Sequence, residues 1–110
     1  MPGNRFRAHD QRGRHYPDPT IDGLFHAIRE LGDGNEYLIV ERVDAPDGDH
    51  YAQTRRRPDG TYIVEYRAGS ATQHYRTVVT GPRTAHAIVA GWLLGLPGWR
   101  DQAGWVPLVQ

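Results

Sequence analysis

Six histidines, His9, His15, His26, His50, His74 and His86, are the side chains best suited to move a proton or hold a metal near neutral pH. Their spacing matches no metal-ligating pattern of the H-E-x-x-H kind. Solvated or half-buried positions are their default. Ser70 is the only serine, and it follows Gly69 in a turn-like stretch without the G-x-S-x-G setting that activates a nucleophile. Glu41 and Glu65 could in principle pair as acid and base. Each has an arginine close by, Arg42 and Arg67, so ion pairing at the surface is the simpler expectation. With no cysteine, thiolate metal sites, disulfides and cysteine nucleophiles are excluded. No glycine-rich loop leads into a helix with a lysine, so phosphate cradling has no support. No catalytic residue, metal ligand or cofactor is assigned, and a non-enzymatic chain is expected.

Binding chemistry has more material. TRRRPDGTYIVEYRAG, residues 54–69, sets three consecutive arginines beside alternating aromatic, β-branched and charged residues. Together with the following strand it offers Tyr62, Tyr66, Arg67, Tyr75 and Arg76 as a sheet face on which nucleic-acid bases could stack. Charge argues against that use. Thirteen arginines balance thirteen acids, and there is no lysine. Residues 1–14 carry four arginines against Asp10, a sum of +3. Residues 18–49 carry nine acids against two arginines, −7, and residues 50–110 carry seven arginines against three acids, +4. A charge dipole is expected, with the acidic block next to the sheet. That block would repel phosphate and suit a basic protein partner. Glu36, Asp44, Asp47 and Asp49, expected to act from the loop after the first strand, are the acidic contact candidates.

The elements that would position these residues follow from periodicity. Ile21, Leu24, Phe25, Ile28 and Leu31 fall on one helical face behind Thr20, a suitable N-cap, and Gly32-Asp33-Gly34 ends the run. Strands are expected near residues 37–43, 51–57, 61–67 and 73–80, with Arg57-Pro58-Asp59-Gly60 as a tight turn between the second and third. Alternation along a strand turns Arg56 away from Arg55 and Arg57, so the three arginines cannot form one patch. Gly81-Pro82 opens a second helix with Ala85, Ile88, Val89, Trp92, Leu93 and Leu96 inward, and Trp92 is expected among the most buried residues. The fold class is α+β: helix, four-stranded antiparallel meander, helix, both helices on one face of the sheet. Residues 1–19 read as a basic, flexible tail, and residues 20–110 as a single α+β domain.

The succession Glu36-Tyr37-Leu38-Ile39-Val40-Glu41-Arg42, His50-Tyr51-Ala52-Gln53, Pro58-Asp59-Gly60-Thr61-Tyr62-Ile63-Val64-Glu65-Tyr66-Arg67, His74-Tyr75-Arg76 and Gly98-Trp99-Arg100, with Trp105 beyond, resembles the DddI-like immunity proteins. These are small α+β proteins of bacterial polymorphic-toxin systems. The resemblance implies a protein that binds and neutralises a cognate toxin, often a basic, nucleic-acid-directed effector. The alternative is a nucleic-acid-associated module using the tyrosine and arginine face. The longest strongly apolar run, AIVAGWLLGL at 87–96, is far short of the roughly 20 residues that span a bilayer, so no membrane association and a cytoplasmic location are expected.

Overall fold

Thr20 caps the first helix: its Oγ1 accepts from the Gly23 amide at 2.9 Å, and helix α1 runs from Ile21 to Arg29 with Asp22 in the first turn. Helix α2, Pro82–Leu94, starts on proline and ends at Gly95, whose φ of 65° closes it in the left-handed conformation. The computed structural model describes residues 5–44 and 49–108. Among these residues, seven strands join the helices: β1 Phe6–Asp10, β2 His15–Pro17, β3 Tyr37–Arg42, β4 His50–Arg56, β5 Tyr62–Ala68, β6 His74–Val79 and β7 Val106–Pro107. They form one antiparallel sheet in the order β2-β1-β3-β4-β5-β6-β7.

The four expected strands correspond to β3–β6, and the four-stranded meander is enlarged to seven strands. Two of the additions correct the expected tail. Residues 6–17 form a hairpin that lies along β3, with Ala8 opposite Val40 and Asp10 opposite Leu38. Ala8 and Asp10 are both buried. Backbone pairing holds this hairpin, and such pairing needs no apolar periodicity in the sequence.

Alternate strand residues enter a single core. Ala8, Leu38, Val40, Tyr62, Val64 and Val79 pack there with Leu24 and Ile28 of α1 and Ala85, Ile88 and Val89 of α2. The helices also touch each other: His86 Nε2 donates to the Ile21 carbonyl at 2.9 Å, and its ring meets Phe25 edge-on at 5.2 Å. Trp92 is half-buried rather than central. It sits over the sheet margin, with its ring edge-on to Phe6 at 5.7 Å. Trp99 and Trp105 close the opposite end around Tyr66, with ring centroids 4.9 and 4.8 Å from it. Trp99 comes so close to α2 that a Cβ on Gly91 would lie 2.6 Å from the Trp99 Cβ. Among the described residues no helix is long and apolar enough to cross a membrane.

Candidate functional site

The second alternate set of strand residues lies outside that core and makes the other face of the sheet. Strand register orders it into three cross-strand rows. Arg7, Glu41, Tyr51, Arg67 and His74 form one. His9, Ile39, Gln53, Glu65, Arg76 and Val106 form the next. Tyr37, Arg55, Ile63 and Val78 form the third. Val78 and Val106 are 47% and 61% exposed, whereas Tyr37, Ile39, Tyr51 and Ile63 are half-buried among their neighbours.

A chain of polar contacts crosses this face. Arg67 Nη1 lies 3.3 Å from Asp49 Oδ1, and Arg67 Nε donates to His74 Nδ1 at 3.0 Å. A guanidinium can only donate, so Nδ1 is the acceptor and the ring proton sits on Nε2, which donates to Glu65 Oε1 at 2.7 Å. Glu65 Oε2 lies 3.6 Å from Arg76 Nε. Both nitrogens of His74 are thus engaged, and the residue is only 3% exposed. It holds Glu65 in place and has no free nitrogen for a substrate's proton. Tyr51 flanks the chain, its ring edge-on to His74 at 5.8 Å and 5.6 Å from the Arg67 guanidinium carbon. Burial pushes its phenol above the ordinary tyrosine range; Arg67 opposes that rise, and Glu65 and Asp49 add to it.

His74 and Glu65 were missed as a pair in the sequence, although a signal was there. In Glu65-Tyr66-Arg67 and His74-Tyr75-Arg76 the polar residues alternate with tyrosines on adjacent antiparallel strands, so all four polar residues share one face. The same rule separates the sheet-face candidates. Arg67 and Arg76 lie on the face away from the core, whereas Tyr62 and Tyr66 are buried on the core face. Tyr75 stacks on Tyr66 there, with centroids 5.1 Å apart. A continuous tyrosine and arginine stacking surface is therefore not formed. Arg100 lies against both tyrosines instead, 5.4 and 5.3 Å from their ring centroids.

The acidic candidates are likewise dispersed. Glu36 precedes β3 and pairs with Arg55 at 2.7 Å. Asp44 follows the far end of β3, roughly 20 Å away along the strand, between Arg5 at 3.3 Å and Arg42 at 3.5 Å. Asp49 pairs with Arg67, and Asp47 lies outside the described residues. Glu41 is bound by Arg7 at 2.7 Å rather than by its neighbour Arg42. Arginines of both flanking segments pair with acids of this block: Arg5 and Arg7 with Asp44 and Glu41, and Arg55 and Arg67 with Glu36 and Asp49. Arg55, Arg56 and Arg57 separate as alternation requires: Arg56 donates to the Leu31 carbonyl at 2.8 Å, and Arg57 binds within its own turn to Thr61 at 2.9 Å.

Among the described residues no group of three histidine, aspartate or glutamate side chains is placed to hold a metal ion. Comparison of the chain with protein-family models, with curated proteins and with solved structures returned no match.

Proposed function

We propose that this chain is a non-enzymatic binding protein of the immunity type, which neutralises a cognate protein toxin in the cytoplasm by direct contact, and that the sheet face away from the core makes that contact. The observation that carries the reading is the three-row face itself. Both helices send their buried residues to the other side of the sheet. This side presents tyrosine, isoleucine, valine and arginine, and its charges are held by cross-strand partners. Aromatic and arginine anchors in a firmly positioned setting are the material of binding hot spots, since little side-chain entropy remains to be lost on association. The resemblance to the immunity proteins supports the role. The contact is assigned to this face rather than to the acidic residues because Glu36 and Asp44 lie beyond opposite ends of β3 and do not make one acidic patch.

The test is binding of the purified chain to the toxin domain encoded by the neighbouring gene, together with protection of cells that express that toxin. Replacing the exposed Val78 and Val106 of this face by aspartate should weaken binding by about thirtyfold or more and abolish protection, with the thermal midpoint nearly kept. Unchanged affinity in that variant would remove this face from the interface. Submicromolar binding of DNA or RNA with a steep salt dependence would replace the reading with nucleic-acid association.

A further inference from the structure

At one end of the uncovered face the surface dips into a depression of about 370 Å³, floored by Ile63 and Gln53 and walled by Arg55, Arg57, Glu65 and Arg76. Ile63 stands directly opposite Arg55, and Glu65 directly opposite Arg76, on paired strands. Arg55 and Arg76 therefore face each other diagonally across β5, from strands roughly 10 Å apart. Each guanidinium is fixed from one side only. Arg55 uses Nη2 on Glu36 at 2.7 Å, and Arg76 turns Nε toward Glu65 at 3.6 Å. Among the described residues no acceptor engages Nε of Arg55 or either Nη of Arg76.

We infer that this depression is a carboxylate-binding site, and that its occupant is the side chain of a glutamate or aspartate on the partner protein. The inference rests on the protein-binding reading above and gives that reading a chemistry. Arg55 and Arg76 keep unengaged N–H groups beside Glu36 and Glu65, so the depression has donors for one carboxylate but no large excess of positive charge for a polyanion, and a nucleic-acid backbone tracking across the face would also meet Glu41, Glu65 and Asp49. Shape agrees: Ile63 and the Pro58 ring give the methylene stem of an acidic side chain an apolar wall while the guanidinium forks meet its oxygens.

The Asp49, Arg67, His74 and Glu65 chain gains a purpose on this reading. Glu65 is the residue that orients Arg76, and His74 with Arg67 behind it keeps Glu65 from swinging out to water. These are positioning residues, and Arg55 and Arg76 are the ones that touch the ligand.

The probe is N-acetylglutamic acid α-amide, which carries one side-chain carboxylate and no other charge, titrated into the whole chain while the arginine Nε resonances are followed by NMR. Saturable shifts confined to Arg55 and Arg76, with dissociation in the millimolar range and no response to the glutamine analogue, are expected. Arg29 and Arg83, on the helices, should not move. Arg55→Gln and Arg76→Gln should each weaken the probe by about fivefold or more, in keeping with the loss of a charge-assisted hydrogen bond. Equal shifts at Arg29 and Arg83, or no saturation, would overturn the site. So would inorganic phosphate binding about tenfold tighter than the probe at matched ionic strength, in line with a dianion preference. The toxin assay separates the two levels: a toxin still bound through this face while the probe fails would end the carboxylate site and leave the binding reading standing.

Discussion

The Asp10 carboxylate accepts a hydrogen bond from Asn35 Nδ2 at 3.2 Å, inside the sheet, across 25 residues of sequence. It also accepts from the Arg14 amide at 3.0 Å, and Asn35 Oδ1 in turn accepts from the Arg12 amide at 3.2 Å. One buried pair therefore fixes both the turn of the N-terminal hairpin and the loop that leads into β3.

Burial raises the Asp10 pKa, but the hydrogen bonds from Arg14 and Asn35 and the Arg14 charge together outweigh it, and the carboxyl is held below the ordinary aspartate value. A group depressed in the folded state adds stability above its unfolded value, about 3.9, and loses that contribution as pH falls through its lower native value. Asp10→Asn should cost about 1 to 3 kcal/mol at pH 7 and should shrink the acid-induced drop below about pH 4. Urea midpoints of both proteins across that range check it; parallel curves would contradict the assignment.

Removing residues 1–15 should destabilise the fold strongly. The deletion strips Ala8 and Asp10 from the core face, takes Phe6 off Trp92 and exposes the edge of β3. A fall of about 10 °C or more in thermal midpoint is expected, since one kcal/mol moves a domain of this size by roughly 4 to 8 °C. An unchanged midpoint would mean that the hairpin carries no stability.

Gly91→Ala sets two effects against each other. Helix propensity favours alanine by about 1 kcal/mol, but the added Cβ would meet the Trp99 Cβ at 2.6 Å, with the Trp99 Cα at 3.7 Å behind it. The obstruction is the root of a side chain, which cannot swing aside as a flexible tip would. A net loss of about 1 to 2 kcal/mol is expected from overpacking, read by denaturant titration, and a gain in stability would show that the two elements yield.

Glu65→Ala leaves the buried Nε2–H of His74 without its acceptor and should cost about 1 to 3 kcal/mol. Glu65→Gln keeps an acceptor oxygen for His74 while removing the charge facing Arg76, and should cost less than half as much. Equal losses in the two variants, measured by urea unfolding at pH 7, would mean that the ion pair with Arg76 rather than the histidine bond carries the energy.

Local chemistry was legible in the sequence wherever a decision depends on near neighbours. Thr20 could be read as a cap because an N-cap is satisfied three residues on, and Gly60, with φ of 88°, could be read as a turn residue because few other residues adopt that conformation. The two helices and β3–β6 came from periodicity, which is likewise local. Alternation along β5 and β6 already sets Tyr62, Tyr66 and Tyr75 on the opposite face from Arg67 and Arg76, so this separation too was legible in the sequence. Tertiary structure alone decided the rest, because strand pairing joins residues whose separation along the chain carries no pattern. The hairpin of β1 and β2 reads as polar tail until Asn35 supplies the buried partner that makes Asp10 tolerable in a core. The acidic block reads as a surface of one sign until register brings Arg7 onto Glu41 and Arg67 onto Asp49. Charge along a sequence adds up segment by segment, but charge on a surface depends on which strands lie side by side.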